Sequence, residues 1–357
     1  MKKSFRSVLA LIVVFALAGA MLAGCTGTTG TTGGETTGTA KPKLKTAMVT
    51  DVGGLGDKSF NDLSWAGLEK AKAELGVETK VLESKQITDY ESNLQQLATA
   101  GYSPVFAVGF LMTDAVSKMS TATPDTNYAG IDIFFNQPPK NVVGINFKEQ
   151  EAGYLAGIVA GLATKDKFDA RLNADNVIGF VGGMTIPPVQ RYEAGFVAGA
   201  KSVNPDVKVI SLYAGKFDDQ AKGKELGLSL IASKADVIFA AAGGTGTGTF
   251  SACKESKKAL FIGVDTDQFN TLTDPGDTIL TSAMKNIDTA VFSVVKNAAD
   301  GAFPGGQNIS LGIKEDGVGL APYHDFDAKV PQAVKDAVTK AVTDIKAGTI
   351  TVPEKLQ

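Results

Sequence analysis

The sequence predicts an α/β protein built as two similar doubly wound lobes, and three observations carry that prediction. Short β-rich runs alternate with helical stretches from residue 45 onward, the alternation comes in two series of like layout, and the runs end in loops containing Gly or Asp. Such alternation implies parallel sheets with helices on both faces. Ligands of these sheets sit beyond the carboxyl ends of the strands, so two facing lobes place both sets of strand-end loops on one cleft. A length of 357 residues, 44% hydrophobic and 20% charged, suits a globular chain of two domains.

In the first series, residues 46–50 read as a strand and 61–75 as a helix with Leu63, Ala66, Leu68, Ala71 and Leu75 on one face. Strands follow at 80–83, 104–108, 127–132 and 142–146, with helices at 90–100 and 114–121 between them. The second series places strands at 177–181, 208–212, 237–241 and 260–264, and helices at 190–202, 219–233 and 247–256.

Ahead of the body, Lys2, Lys3 and Arg6 precede an apolar run over 8–22 that closes on Ala23 and Gly24, the build of a secretory signal. Leu22-Ala23-Gly24-Cys25 resembles the bacterial lipobox, which implies cleavage after residue 24 and lipidation of Cys25. The run is at the short edge of spanning length and has no positive stop sequence after it. Residues 26–40 are almost wholly Thr and Gly with Glu35 the only charge, too polar to repay an ordered structure. Residues 25–44 are therefore expected to act as a tether reaching on the order of 25 Å, holding the body to the outer face of the cell membrane.

Composition narrows the chemistry. Lys and Arg total 35 against 38 Asp and Glu, a formal net charge of -3, with no basic block to track a nucleic-acid backbone. The single histidine, His324, leaves little for a zinc site or a histidine-based triad, and no metal or cofactor is expected. The two cysteines are Cys25 and Cys253, so no internal disulfide is expected once Cys25 carries lipid.

The strand-end loops hold the candidate site. Asp51 to Asn61 contains Gly53, Gly54 and Gly56, a capping choice of Ser59 or Asn61, and Phe60 at the helix entrance. Phe60 and Asn61 read either as a core ring with a capping amide, or as a stacking platform beside a group that reads a ligand edge. Asp114 stands at the start of the next helix, as an N-cap or as a partner for a ligand N–H. Gly243, Gly244, Gly246 and Gly248 open a helix in the second lobe, but neither the Walker nor the dinucleotide spacing is met. Asp265 ends a strand as a carboxylate suited to a vicinal diol. Lys285 could pair with it or donate to a sugar hydroxyl. Phe217, after another strand, could close on a flat base from the wall opposite Phe60.

Taken in order, Asp51 to Asn61, Gly109 to Asp114, Lys222-Gly223-Lys224 after Phe217, Gly243 to Gly246, and Gly263 to Gln268 with Lys285 resemble the basic membrane protein family of substrate-binding lipoproteins of ABC transporters, purine nucleoside receptor type. The resemblance covers residues 45–326 and implies a type I periplasmic-binding fold that is not an enzyme. It implies a first lobe of 45–147 plus 279–301 and a second of 148–278 plus 302–357, with a terminal helix over 330–345. Phe60 and Phe217 would sandwich the purine and Asn61 and Asp114 meet its polar edge. Gly244, Asp265 and Lys285 would hold the ribose, and Asp51 would line the same cleft. The implied partners are a purine nucleoside, a permease with its ATPase, and the membrane. The same fold with a sugar or signalling molecule is one alternative. A surface nucleoside hydrolase using Asp51, Asp57 and Asp114 is another.

Overall fold

The computed structural model describes residues 43–356. The leader, Cys25 and the tether as far as residue 42 lie outside the described residues. From Lys43 the chain forms β1 (Lys45–Val49), α1 (Phe60–Leu75), β2 (Glu78–Leu82), α2 (Asp89–Thr99), β3 (Val105–Val108), α3 (Thr113–Ala122), β4 (Tyr128–Ile131) and β5 (Val142–Phe147). It continues as α4 (Glu149–Asp166), β6 (Val177–Gly182), α5 (Pro187–Val203), β7 (Lys208–Tyr213), α6 (Gln220–Ala232), β8 (Ala235–Ala241), α7 (Gly244–Ser256) and β9 (Leu260–Asp265). The last elements are α8 (Gln268–Thr271), β10 (Ile279–Lys285), α9 (Ile287–Ala299), β11 (Gln307–Leu311), β12 (Val318–Leu320) and α10 (Gln332–Ala347).

Two six-stranded sheets result, ordered β11-β5-β4-β3-β1-β2 and β12-β10-β9-β8-β6-β7. Every pairing is parallel except β10 with β12. The central strands β3, β4, β8 and β9 are buried along their whole length, as strands covered on both faces must be. Edge strands β2 and β7 are only half covered. The fold is the type I periplasmic-binding architecture of two lobes.

Two expected placements differ. The expected place of residues 279–301 is the first lobe, yet β10 pairs with β9 in the second sheet, Ser282 beside Gly263. Only α9 from that stretch crosses, packing on α1 where Asp288 and Val291 meet Gly67. A strand as apolar as Ile279–Lys285 needs neighbours on both sides, and β9 and β12 supply them. Conversely, β11, assigned to the second lobe, extends the first sheet beyond β5 and covers its edge. The chain therefore passes between lobes at Lys148, at Asn286 and over 312–317.

Sequence periodicity also passed over α4. Its residues are buried on almost every side, so it lacks the polar face that marks a surface helix. It packs on α5 through small residues: a Cβ on Gly157 or Gly199 would run into the Phe196 or Tyr154 carbonyl of the facing helix. This close contact fixes the start of α5, which carries Arg191 and Tyr192. The Pro187-Pro188 pair sets that start three residues before the expected 190, because proline fits a first helical turn whose N–H groups have no partner.

Candidate functional site

Between the lobes lies a cleft, lined from the first lobe by Asp51, Asp57, Phe60, Asn61, residues 109–111 and Asp132. The second lobe contributes Ile186, Pro188, Val189, Tyr192, Phe217, residues 241–243, Val264, Asp265 and Lys285. The mixture, apolar walls with few convergent polar groups, suits a small polar molecule with a flat face.

The first-lobe wall is built on the loop between β1 and α1. Asp51 Oδ1 accepts from Gly53 N at 2.8 Å and from Asn61 Nδ2 at 2.8 Å, while Asn61 Oδ1 accepts from Asp51 N at 3.2 Å. Asn61 Nδ2 also donates to Asp57 Oδ2 at 3.0 Å. Both amide N–H donors of Asn61 are thus engaged, and it offers the cleft only carbonyl lone-pair capacity. The capping choice between Ser59 and Asn61 falls to neither: Asp57 takes the N–H groups of Ser59, Asn61 and Asp62 at 3.0, 2.8 and 3.2 Å. Freed from capping, Ser59 Oγ donates across the lobe boundary to Asp265 Oδ2 at 2.7 Å. Phe60 opens α1 and its ring lies beside Gly109, whose φ of 118° favours glycine.

Phe217 approaches from the second lobe. Its ring occupies the space a side chain on Gly183 would need, and its Cβ lies beside Gly53 of the first lobe. The glycine-rich turn supports it: Thr245 N donates to Phe217 O at 2.9 Å and Thr245 Oγ1 to Lys216 O at 3.1 Å. That turn is the first turn of α7, which begins at Gly244 and not at the expected 247. Gly243, at φ 54°, lines the cleft, whereas Gly244 lies just behind it.

The polar floor lies at strand ends. Asp265 ends β9 with φ 62°, its Oδ1 accepting from Tyr192 Oη at 3.1 Å. Of the two roles left open for Lys285, the pair with Asp265 is not formed. Lys285 Nζ instead meets Asp132 Oδ2 at 2.6 Å and Glu149 Oε1 at 2.9 Å, and Arg191 Nε holds Glu149 Oε2 at 2.6 Å. Of these two contacts of Lys285 only that to Asp132 has hydrogen-bond geometry, and the buried ammonium, which lines the cleft, sits 5.1 Å from the Phe60 ring centre.

Asp114 departs from expectation altogether. It is exposed on α3 and neither caps that helix nor lines the cleft. A short 3-10 turn over Phe110–Met112 precedes α3, and Phe110 and Leu111 take the place on the wall. Residues that sequence reasoning missed are Asp132, Glu149, Arg191 and Tyr192. One signal for Asp132 was present: Gly130-Ile131-Asp132 parallels Gly263-Val264-Asp265, at equivalent strands of the two sheets and with φ of 61° and 62°.

Burial raises the cleft carboxyls. Desolvation pushes Asp57 up to about 7 against its backbone hydrogen bonds, and Asp51 up to about 6 against those from Asn61 and Gly53. Asp265 is also raised by burial, with Lys285 opposing. A folded-state pKa above the unfolded 3.8 means the native state holds a proton that the unfolded chain has released. The associated stability is complete below about pH 4 and is lost as pH rises through the folded value. For Asp57 the window runs from about pH 4 to 7. Compared with Asp57→Asn, the native protein is expected to lose up to about 1.4 kcal/mol per pH unit across it. Urea melts of both proteins between pH 4 and 8 check this, and parallel curves would contradict it.

Two facing α/β lobes with a lined cleft between them define a solute-binding protein of the periplasmic type. The family model for ABC transporter substrate-binding proteins, PnrA-like (Bmp), matches residues 44–355, and the chain belongs to this family. It is 38% identical to the ABC transporter nucleoside-binding protein BmpA of Lactococcus lactis subsp. cremoris, over 97% of this chain and 99% of the relative. Basic membrane protein A of Borreliella burgdorferi is 33% identical over 77% of this chain and 78% of its own length. Among solved structures, an ABC transporter solute-binding protein from Aeropyrum pernix superposes with a TM-score of 0.80 at 29% identity, covering 87% of this chain and 94% of that one. The family description, the Lactococcus relative and the Aeropyrum structure are all named as binding proteins of ABC transporters.

Proposed function

We propose that the protein is the purine nucleoside receptor of an ABC importer, lipid-anchored through Cys25 on the outer face of the cell membrane. It captures its ligand by closing the two lobes and passes it to a permease driven by an ATPase. The carrying observation is the pair of rings, Phe60 and Phe217, brought to one cleft from opposite lobes above a floor of Asp265 and Lys285. Stacking a base between two rings contributes about 1 to 3 kcal/mol per ring, and a strand-end carboxylate suits the ribose diol. The name of the Lactococcus relative, a nucleoside-binding protein, supports the same ligand class. Names of archaeal relatives in Pyrococcus as lipoproteins support the anchor. The hydrolase alternative loses a member of its carboxylate set, because Asp114 is exposed and outside the cleft.

Calorimetric titration with inosine, guanosine and adenosine is expected to show saturable binding, and Phe60→Ala is expected to weaken it by about tenfold or more, given the stacking energy. Absence of heat with all three nucleosides, or sugar binding indifferent to Phe60→Ala, would point instead to another solute.

A further inference from the structure

Three side-chain hydrogen bonds join the lobes at a seam beside the cleft, and they converge on residues 58 and 59. Ser59 Oγ donates to Asp265 Oδ2 at 2.7 Å, Gln268 Nε2 to Lys58 O at 3.1 Å, and Thr271 Oγ1 to the same carbonyl at 3.3 Å. Both sides are held firmly before they meet. On the first lobe Asp57 fixes Ser59 N, and Lys58 adopts a left-handed φ of 57° that a lysine accepts only under constraint. On the second lobe Gln268 is buried, its Oε1 accepting from Val264 N at 3.2 Å and its N donating to Ser282 Oγ at 3.1 Å.

Neither Ser59 nor Gln268 lines the cleft, so neither touches what the cleft holds. Each nevertheless adjoins a residue that does, Ser59 next to Phe60 and Gln268 three residues beyond Asp265. We infer that Ser59 and Gln268 are positioning residues of solute capture: they latch the closed lobes and orient the Asp265 carboxylate toward the ligand. Ser59 takes one lone pair on Oδ2 and Tyr192 one on Oδ1, which leaves a lone pair on each oxygen for two ligand donors. The carboxylate is then shared between the opposite lobe and the ligand. Closure and capture strengthen each other, because the oxygen that greets Ser59 is already fixed by the solute. The orienting half of this inference rests on the nucleoside reading, and the latching half does not.

The test compares the full chain with Ser59→Ala and Gln268→Ala, using small-angle scattering without ligand and at saturating inosine, and stopped-flow inosine release. Loss of a hydrogen bond to a charged acceptor is expected to shift the closed-to-open ratio by about tenfold in Ser59→Ala, with a smaller shift in Gln268→Ala. Inosine should leave correspondingly faster while its association rate holds. A closed fraction and release rate unchanged in both variants would overturn the inference. Should inosine bind none of the proteins, the nucleoside reading fails by itself, and ligand-free scattering decides the latch: a larger radius of gyration in the variants sustains it, and equal radii overturn it.

Discussion

Replacing Lys285 with Met is expected to cost about 3 to 5 kcal/mol of folding stability, the penalty for stranding buried carboxylates by removing their cation. Lys285 is buried at 1% exposure and its ammonium meets both Asp132 and Glu149. Glu149 retains its ion pair with Arg191 in the variant, whereas Asp132 keeps only the more distant Arg191 charge, and among the described residues its Oδ1 has no hydrogen-bond partner even in the native protein. Burial already raises the Asp132 carboxyl, and loss of the neighbouring charge raises it further. The variant can therefore recover by protonating, so its deficit should be smallest in acid and grow as pH rises through that raised value. Adding Asp132→Asn should return part of the loss by removing the stranded charge. Urea unfolding of the single and double variants at pH 5 and pH 8 measures all of this. A single-variant loss under about 1 kcal/mol would mean that the ion pair is idle, as exposed pairs commonly are.

The same residue shows what the sequence could and could not say. Lys285 was legible as a strand-end lysine near the cleft, because residue type and position after a β-rich run are local facts. Its partners were not legible, since Asp132 is 153 residues away and Glu149 sits in α4, a helix whose small and apolar residues leave no amphipathic stripe to mark it. Asp51, Phe60, Asn61, Phe217 and Asp265 reach one cleft because strand-end loops of facing parallel sheets must converge there. Asp114 fails for a local reason: the turn over Phe110–Met112 intervenes, and its hydrogen bonding is not written in residue type. The lobe assignment of β10 and β11 fails for a topological one. Which sheet a strand joins depends on which edge remains open when the chain returns, and neither periodicity nor composition records that.

Ribonucleosides are expected to bind Asp265→Asn about 100-fold more weakly than the native protein, since two hydrogen bonds to a charged acceptor are weakened at once and each 1.4 kcal/mol is tenfold. Two effects enter that number, and 2′-deoxynucleosides separate them. The amide retains a single side-chain oxygen where the carboxylate served both Ser59 and Tyr192, so the cross-lobe bond is weakened for every ligand alike. A sugar lacking the 2′-hydroxyl, however, never makes the second bond to the carboxylate. On the native protein inosine should therefore exceed 2′-deoxyinosine in affinity by about tenfold, and on Asp265→Asn this preference should shrink toward unity. The loss common to both sugars then measures closure, and the extra loss for the ribonucleoside measures the diol. Equal affinity of the native protein for the two sugars, with both weakened by the substitution, would leave Asp265 as a closing residue only. The ribose would then have to be read by another polar group lining the same cleft, Lys285 being the cationic one among them.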